Sequence, residues 1–251
     1  MTALVAGLYG LVIGSFLNVV IHRVPERRSV VRPPSACPHC GTRISARDNV
    51  PVVSWLVLRG RCRSCAAPIS VRYPLVELLT GALFALVALR FGWSPTLPAM
   101  LIFVAGLVAL AFCDLDRLVL PKRIVYATAV LVAVALLSAA AATGQWHRLA
   151  VSVACAAAGL VVFRLIYFIS PRAMGFGDVR LAPLISGTLG WLGVGYALVG
   201  FLLANVLGVV IGLALIAGRR ASRRTRLPYG VFLAAGAMLA LPLGGMLHGV
   251  A

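Results

Sequence analysis

The acidic side chains are the first candidates for chemistry in this sequence, because it contains so few of them. Among 251 residues there are 23 Lys and Arg but only six acids. The acids are Glu26, Asp48, Glu77, Asp114, Asp116 and Asp178. The four histidines are scattered, and the sequence contains no HExxH helix, nucleophile elbow or phosphate-binding glycine loop. Carboxylates are therefore the groups to which catalysis is assigned first.

Three of the acids have a structural explanation from their surroundings. Glu26 and Asp48 lie in a strongly basic segment, where ion pairing with Arg27, Arg28 or Arg47 would account for them. Glu77 is expected in the first turn of a helix, where the helix dipole favours a negative charge. For Glu77 a structural role and a functional role explain the position equally well.

The other three acids stand beside long apolar runs. Asp114 and Asp116 directly follow the run that ends in Phe112-Cys113, and Asp178 closes the motif Gly175-Phe176-Gly177-Asp178. An ionisable residue at the boundary of a membrane segment is a functional hypothesis by default. The structural alternative for the glycine motif is a glycine-rich turn with an N-capping Asp.

The elements that must position these acids are membrane helices. The chain is 61% hydrophobic and 12% charged, which excludes an ordinary soluble domain. Spans of roughly 20 apolar residues cross a bilayer as helices, because lipid leaves backbone groups no other partner. We predict an all-α polytopic membrane protein with about eight transmembrane helices. They are expected near residues 3–21, 75–89, 98–113, 124–142, 149–169, 181–195, 199–217 and 229–247.

The basic residues report orientation rather than a nucleic-acid partner, because they lie between apolar runs and not on a polar domain. They concentrate in alternate connections at 22–74, 114–123, 170–180 and 218–228. By the positive-inside rule these connections are cytoplasmic and both termini lie outside. The first span stays in the protein, since basic residues follow it instead of preceding it.

This topology brings Asp114 and Asp178 to one membrane depth, at the cytoplasmic edge. If the third and sixth predicted spans pack side by side, the two carboxylates can share a proton, because like charges in a poorly hydrated site cannot both ionise. One acid then serves as general base and the other as general acid in the attack of water on a peptide carbonyl. Gly175 and Gly177 would permit unusual dihedral angles and close approach of a substrate.

Four cysteines in the loop 22–74 form two CxxC pairs, Cys37 with Cys40 and Cys62 with Cys65. Two such pairs can close a tetrahedral Zn²⁺ site, and a short loop would gain its fold from the metal. A disulfide framework is the weaker alternative, because the loop faces the reducing cytosol. His39 is interpreted as a spacer. A closed Cys₄ site leaves no position for a substrate, so its expected role is structural.

Along nearly its whole length the sequence resembles the type IV prepilin peptidases, which are leader peptidases and N-methyltransferases of the GxGD aspartic protease class. The matching stretches are Gly14–Pro25, the two CxxC pairs, Asn49–Pro51, Ser54–Leu56, Arg59–Cys62, Ile69–Gly81, Asp114–Asp116 with Leu120-Pro121, Met174–Leu181 and Leu227–Gly230. Each is short, but their order and spacing make a chance agreement implausible.

The resemblance implies a specific activity. Such enzymes, found in the bacterial inner membrane, remove the basic leader of type IV prepilin or pseudopilin precursors at the cytoplasmic face. They commonly then methylate the new N-terminal residue with S-adenosylmethionine. Carried across, Asp114 and Asp178 are the catalytic pair, and Asp116, Gly175 and Gly177 support them. The resemblance also implies a division into a first helix (1–21), a zinc loop associated with methyl transfer (22–74) and a peptidase bundle (75–251).

Two positions depart from the pattern of that family. Lys122 stands where an Asp usually follows Leu-Pro, and Arg180 stands where a Lys is usual. Neither change touches the proposed acid pair. The methyl donor has no binding signature of its own in the sequence, so its site is not assigned, and neither is the oligomeric state. The alternatives are a peptidase without methyltransferase activity, a different intramembrane protease, a transporter, and a non-enzymatic assembly factor organised by its zinc loop.

Overall fold

The computed structural model describes residues 1–171, 174–219, 225 and 227–242, and within them the chain is helical without any strand. The α-helices are α1 (Thr2–Arg23), α2 (Val53–Val57), α3 (Arg72–Phe91), α4 (Leu97–Arg117), α5 (Lys122–Thr143), α6 (Trp146–Ile169), α7 (Phe176–Leu192), α8 (Val194–Ala217) and α9 (Tyr229–Ala240). A short 3₁₀ helix, Ala46–Asn49, precedes α2 in the long loop.

The predicted class of an all-α membrane protein is confirmed. Within the described residues, six helices are long and apolar enough to cross a membrane, namely α1, α3, α4, α5, α6 and α8. Helices α7 and α9 also coincide with predicted spans, but they have only 17 and 12 described residues. The described residues therefore contain six candidate spans, together with the two shorter apolar helices.

Three parts of the sequence interpretation fall partly outside the described residues, one being the basic connection 170–180 with Arg172. The last predicted span, 229–247, continues into residues 243–247, and the basic connection 218–228 includes four such arginines. These arginines are Arg220, Arg223, Arg224 and Arg226. For those positions they stay predictions.

The N-terminal compact unit, Met1–Trp93, is built on close packing between α1 and α3. Glycines face the opposite helix along the contact: Gly10 lies against Gly81, and Gly14 lies against the backbone of Glu77. Contacts nearer the C-terminus of α1 meet residues nearer the N-terminus of α3, so the two helices are antiparallel. Small residues at such positions let two membrane helices approach closely, which lipid alone would not drive. This packing fixes the two ends of the long loop next to each other.

The second compact unit, Ser94–Ala251, surrounds α4. Most side chains of α4 between Phe103 and Leu110 are fully buried, whereas α8 is largely exposed along its length. Helix α4 packs against α5 and α9, and α7 packs against α6, α8, α5 and α9. The apolar exposed faces of the outer helices are those that a bilayer would cover.

Helix α3 belongs by its contacts to the N-terminal unit, together with α1 and the loop. The sequence interpretation grouped it with the peptidase bundle, as part of residues 75–251. That grouping assigns functions to regions, and it stays a prediction.

The packing of α1 on α3 predicts that two matched Gly→Ala substitutions differ in their effect on the stability of the protein. A Cβ at Gly10 would lie 2.9 Å from the Gly81 Cα, whereas a Cβ at Gly7 would meet only ordinary contacts at 3.5 Å. Both Gly→Ala changes gain the same helix propensity. Gly10→Ala should therefore be less stable than Gly7→Ala by about 1–3 kcal/mol, the usual cost of overpacking. Denaturant unfolding of the detergent-solubilised protein would measure it, and equal stabilities would contradict the packing.

Candidate active site and metal centre

Asp114 lies in the last turn of α4 and is only 6% exposed. Its Oδ2 accepts a hydrogen bond from the backbone N–H of Val231 at 3.2 Å. The N–H of Gly230 also donates to this carboxylate. Both amides belong to the first turn of α9, where helix N–H groups have no partner inside the helix and the dipole is positive. The start of α9 therefore holds the carboxylate of Asp114 in place.

Asp178 is the third residue of α7 and is also 6% exposed. Its Oδ2 accepts from the N–H of Gly175 at 3.2 Å, and its own N–H donates to the Gly175 carbonyl at 3.1 Å. The expected alternative of an N-capping Asp is wrong in position, because Gly175 is the N-cap. These two bonds include only the carboxylate half of a capping box, in which the acid of the first turn reaches back to the cap, because glycine has no side chain that could accept the Asp178 N–H. They fix one carboxylate oxygen of Asp178.

The segments that carry and hold the two acids meet at the side chain of Leu120. A Cβ on Gly230 would lie 2.9 Å from Asp114 Oδ2 and 3.0 Å from the methyl groups of Leu120, and a Cβ on Gly177 would lie 2.9 Å from Leu120 Cβ. The negative charge of Asp114 also acts on Asp178. The expected side-by-side packing of the two helices is replaced by shared neighbours, since α4 and α7 both pack on α5 and α9. The pairing of Asp114 with Asp178 as catalytic acids stays a prediction.

The glycines of the motif provide space rather than unusual dihedral angles. Gly175 has φ −72°, which any residue adopts, and Gly177 lies inside α7. At Gly177 the requirement is contact with Leu120, since a side chain would collide with it. The expectation of unusual dihedrals at these glycines is wrong. Their role in supporting catalysis stays a prediction.

The start of α9 is the part of the site to which the sequence interpretation gave no role. Leu227-Pro228-Tyr229-Gly230 was noted only as part of the resemblance. In the structure Pro228 precedes the helix and Gly230 leaves room for Asp114. Tyr229 donates its hydroxyl to Asn205 Oδ1 at 3.2 Å, which ties α9 to α8. A Pro at a helix start followed by a Gly was the available signal, although it does not identify the carboxylate that the helix contacts.

The remaining acids have defined environments. Asp116 is exposed in the last turn of α4, and Lys122 is exposed at the start of α5. Glu26 pairs with Arg28, as expected. Asp48 pairs instead with Arg63, which donates to both carboxylate oxygens through Nε and NH2. The hydrogen bond from this guanidinium lowers the pKa of Asp48.

Glu77 does not lie at the start of its helix. Helix α3 begins at Arg72, earlier than predicted, so Glu77 falls in the second turn and is 7% exposed. Its Oε2 accepts the backbone N–H of Val52 at 2.8 Å, a contact from the loop. The helix dipole of the first turn therefore does not explain this acid.

The four loop cysteines form a site that could hold a metal ion, because their sulfur atoms all lie within 4.8 Å of one another. Each CxxC pair lies in its own turn, and the two turns have the same conformation. Ala36 bridges Arg43 around the first turn, and Arg61 bridges Pro68 around the second. The residue after the second cysteine has positive φ in both turns, 70° at Gly41 and 57° at Ala66.

The geometry fits a tetrahedral thiolate site and not the disulfide alternative. All four cysteines are free thiols, and the Sγ atoms of Cys37 and Cys65 are 3.8 Å apart. A tetrahedron with metal–sulfur bonds of about 2.3 Å has edges of that order. Hydrogen bonds with the side chain and then the backbone of Thr42 lower the pKa of the Cys40 thiol to about 6. A backbone hydrogen bond at Ala67 is outweighed by burial and the other thiols at Cys65, whose pKa is raised to about 12, so Cys40 favours the thiolate before a metal binds and Cys65 does not.

Comparison with known proteins places the chain in a family. Residues 8–91 match the bacterial peptidase A24 N-terminal domain, and residues 101–213 match the type IV leader peptidase family. A prepilin leader peptidase/N-methyltransferase of Aeromonas hydrophila is 39% identical over 94% of this chain and 89% of that protein. The protein with the same name from Stutzerimonas stutzeri is 34% identical over 96% and 90%.

The chain therefore belongs to the type IV leader peptidase family, and the resemblance seen in the sequence is confirmed. A further relative, the prepilin leader peptidase/N-methyltransferase of Myxococcus xanthus (strain DK1622), is 44% identical over 86% of this chain, which spans 64% of that protein. No solved structure matches the chain.

The cysteine cluster predicts one bound metal ion per chain. Replacing Cys37 or Cys62 by Ser should remove it, because a hard hydroxyl replaces one of four soft ligands. Cys155→Ser is the control, since Cys155 is a buried free thiol of α6 outside the cluster. Metal analysis of the purified variants by mass spectrometry would check this. Full metal content in the Cys37 and Cys62 variants would contradict the assignment.

Proposed function

We propose that this protein is a membrane-embedded aspartic endopeptidase that removes the leader of type IV prepilin or pseudopilin precursors. The observation that carries the proposal is that two buried carboxylates, Asp114 and Asp178, lie on segments that meet at Leu120. Each is held through one oxygen by backbone N–H groups at a helix start. Membership of the type IV leader peptidase family supports the choice of reaction.

The geometry suits a shared-proton mechanism. Two neighbouring carboxylates in a poorly hydrated site cannot both carry a charge comfortably, so one keeps a proton. We assign the general base to Asp114, because two amides at the positive end of α9 donate to it. Asp178, which accepts one amide N–H from its own helix, then carries the proton.

The proposed reaction transfers two protons and replaces the scissile carbon–nitrogen bond by a carbon–oxygen bond to water. Asp114 takes a proton from water as the water oxygen attacks the scissile carbonyl carbon. Asp178 gives its proton to the leaving nitrogen as the carbon–nitrogen bond breaks. The products are the leader with a new carboxylate and the mature chain with a new amine. General acid–base catalysis of this kind requires no metal and no covalent intermediate.

The position of the acids favours a peptidase over a transporter. Asp114 lies in the last turn of α4 and Asp178 in the first turn of α7. Transporters place their ion-coupling groups near the bilayer midplane, in broken helices. Acids at helix ends suit a cleavage site just outside the apolar segment of a membrane-held precursor. We place this edge on the cytoplasmic side of the bacterial inner membrane, with both termini outside, from the distribution of basic residues.

We also propose that the protein methylates the new N-terminal amine, with S-adenosylmethionine as the methyl donor. The names of the relatives, prepilin leader peptidase/N-methyltransferase, support this second activity. The N-terminal unit carries the loop that the sequence interpretation associated with methyl transfer, and the C-terminal unit carries the acid pair. We therefore assign methylation to the first unit and cleavage to the second.

The metal of the loop is proposed to be Zn²⁺, bound by Cys37, Cys40, Cys62 and Cys65. Four thiolates are a common structural zinc site, and such a site is closed to substrate. Bound there, zinc would supply folding energy to a loop that has two short helical turns and no sheet.

Replacing either acid of the pair should abolish cleavage. Asp114→Asn and Asp178→Asn keep the size of the side chain but remove the base or the acid, and losses of 100-fold or more are expected. Asp116→Asn is the matched comparison two residues away; because this exposed acid is proposed only to support the pair, its loss should cost far less activity. Cleavage of a purified prepilin by the reconstituted variants would measure these rates. Normal rates in both dyad variants would overturn the proposed pair.

Gly230→Ala should impair cleavage without removing any catalytic group. Its Cβ would press on Asp114 Oδ2 and on Leu120, so the carboxylate must move. A displacement approaching 1 Å can cost on the order of 100-fold in rate. Gly195→Ala is the control, because a Cβ there meets no atom within 4 Å. The prediction concerns kcat in the prepilin assay, and equal kcat values for the two variants would contradict the role of α9.

A further inference from the structure

A cavity of about 660 Å³ lies within the N-terminal unit, between the end of α1, the start of α3 and the metal-binding loop. Its lining includes Asn18, His22, Trp55, Tyr73 and Glu77. Cavities of roughly 300–1,000 Å³ hold cofactors and other small molecules. The proposed cleavage site does not use this cavity, since Asp114 and Asp178 belong to the other unit.

Glu77 is the buried acid of the cavity, and its partners are uncharged. It accepts hydrogen bonds from the N–H of Val52 and from the hydroxyl of Ser15. An ionised carboxylate can accept about four hydrogen bonds, so acceptor capacity remains. A buried carboxylate is costly unless a cation or several donors offset it. Although the loop contains ten arginines, the described partners of Glu77 include none of them.

The segment that contacts Glu77 is held in an unusual conformation. Val52 has φ 61° and ψ −50°, a region that β-branched residues almost never adopt. Its N–H points to Glu77 at 2.8 Å. Backbone outliers of this kind persist only where the surrounding structure enforces them, and they concentrate at binding and catalytic sites. The strained residue Val52 thus lies directly beside the carboxylate that faces the cavity.

The other lining groups suit a ligand that has a flat ring and carries both a negative and a positive group. Trp55 is held by the bond from its Nε1 to the Ile69 carbonyl at 3.1 Å. Gly60 packs against the same indole. Asn18, only 8% exposed, donates its Nδ2 to the Tyr73 carbonyl at 3.1 Å. Arg23, Arg28 and Arg43 also line the cavity. It therefore combines aromatic side chains, cations and one buried acid with free acceptor capacity.

We propose that this cavity binds S-adenosylmethionine, with the carboxylate of Glu77 facing a cationic group of the ligand. This inference rests on the proposed methyltransferase function and gives it a location. The ligand has a purine for the aromatic side chains, a carboxylate for the arginines, and ammonium and sulfonium groups for Glu77. A basic leader peptide fits less well, because the arginines of the lining would repel it.

The proposed transfer conserves charge and atoms. The neutral N-terminal amine of the mature chain forms a bond to the methyl carbon, and the carbon–sulfur bond breaks with its electron pair going to sulfur. The positive charge passes from sulfur to nitrogen, and the N-methylammonium product can release a proton to solvent. S-adenosylhomocysteine is the other product.

The first experiment measures binding rather than turnover. Equilibrium dialysis of labelled S-adenosylmethionine with the purified, metal-loaded full chain should give saturable binding, and Glu77→Gln should weaken it at least tenfold. Asp116→Asn is the matched control, because Asp116 is an exposed acid of the other unit and does not line the cavity. Its affinity should stay within twofold of the wild type. Equal affinities for wild type and Glu77→Gln would overturn the role of Glu77.

The second experiment needs no variant and covers the case in which Glu77→Gln fails to fold. Ultraviolet crosslinking of labelled S-adenosylmethionine to the wild-type protein, followed by peptide mapping, should place the label within residues 15–77. A label in residues 94–251, in an enzyme that methylates, would overturn the site but leave the proposed methyltransferase function standing. Wild-type protein that cleaves prepilin but neither binds the donor nor methylates would overturn the function itself, and the site with it.

Discussion

The hydrogen bond from a backbone N–H to a carboxylate is the interaction on which the candidate sites depend. In a bundle of membrane helices nearly every backbone amide is used inside its own helix, and free N–H groups remain at helix starts and in loops. The three buried acids of the described chain all meet such groups. Asp114 takes those of α9, Asp178 takes that of its own N-cap, and Glu77 takes that of Val52. The positions of the acids therefore follow from where helices begin.

Close approach of backbones is the second requirement, and glycine supplies it. At the acid pair, Gly177 of α7 and Gly230 of α9 both lie against Leu120, in the turn between α4 and α5. A larger residue at either position would separate the helices that carry or hold the two acids. The same device sets the contact of α1 with α3, where Gly14 lies against the backbone of Glu77. In both units, glycine brings an acid close to its supporting element.

The sequence predicts those features that depend on composition and local spacing. Hydropathy indicates the helices, the scarcity of acids draws attention to Asp114 and Asp178, and CxxC spacing indicates the metal cluster. What depends on tertiary approach could not be predicted. The contact of α9 with Asp114 joins residues far apart in the chain, and the bond from Val52 to Glu77 requires the folded loop. The predicted span 181–195 places the start of α7 too late, because its apolar run merges with that of α8 and Phe176–Arg180 were not expected in the helix.

The long loop must be held by crosslinks, because it is too small and too polar to fold around an apolar core. The four cysteines draw its two turns together, and the bidentate pair of Arg63 with Asp48 joins the second turn to the 3₁₀ helix. That helix is bonded in turn to the start of α2, through the Ser54 hydroxyl and the Arg47 carbonyl. Val52 and Trp55 stand on this same segment. Two of the metal-site cysteines, Cys37 and Cys62, line the Glu77 cavity, so a bound metal would fix the wall that the loop contributes.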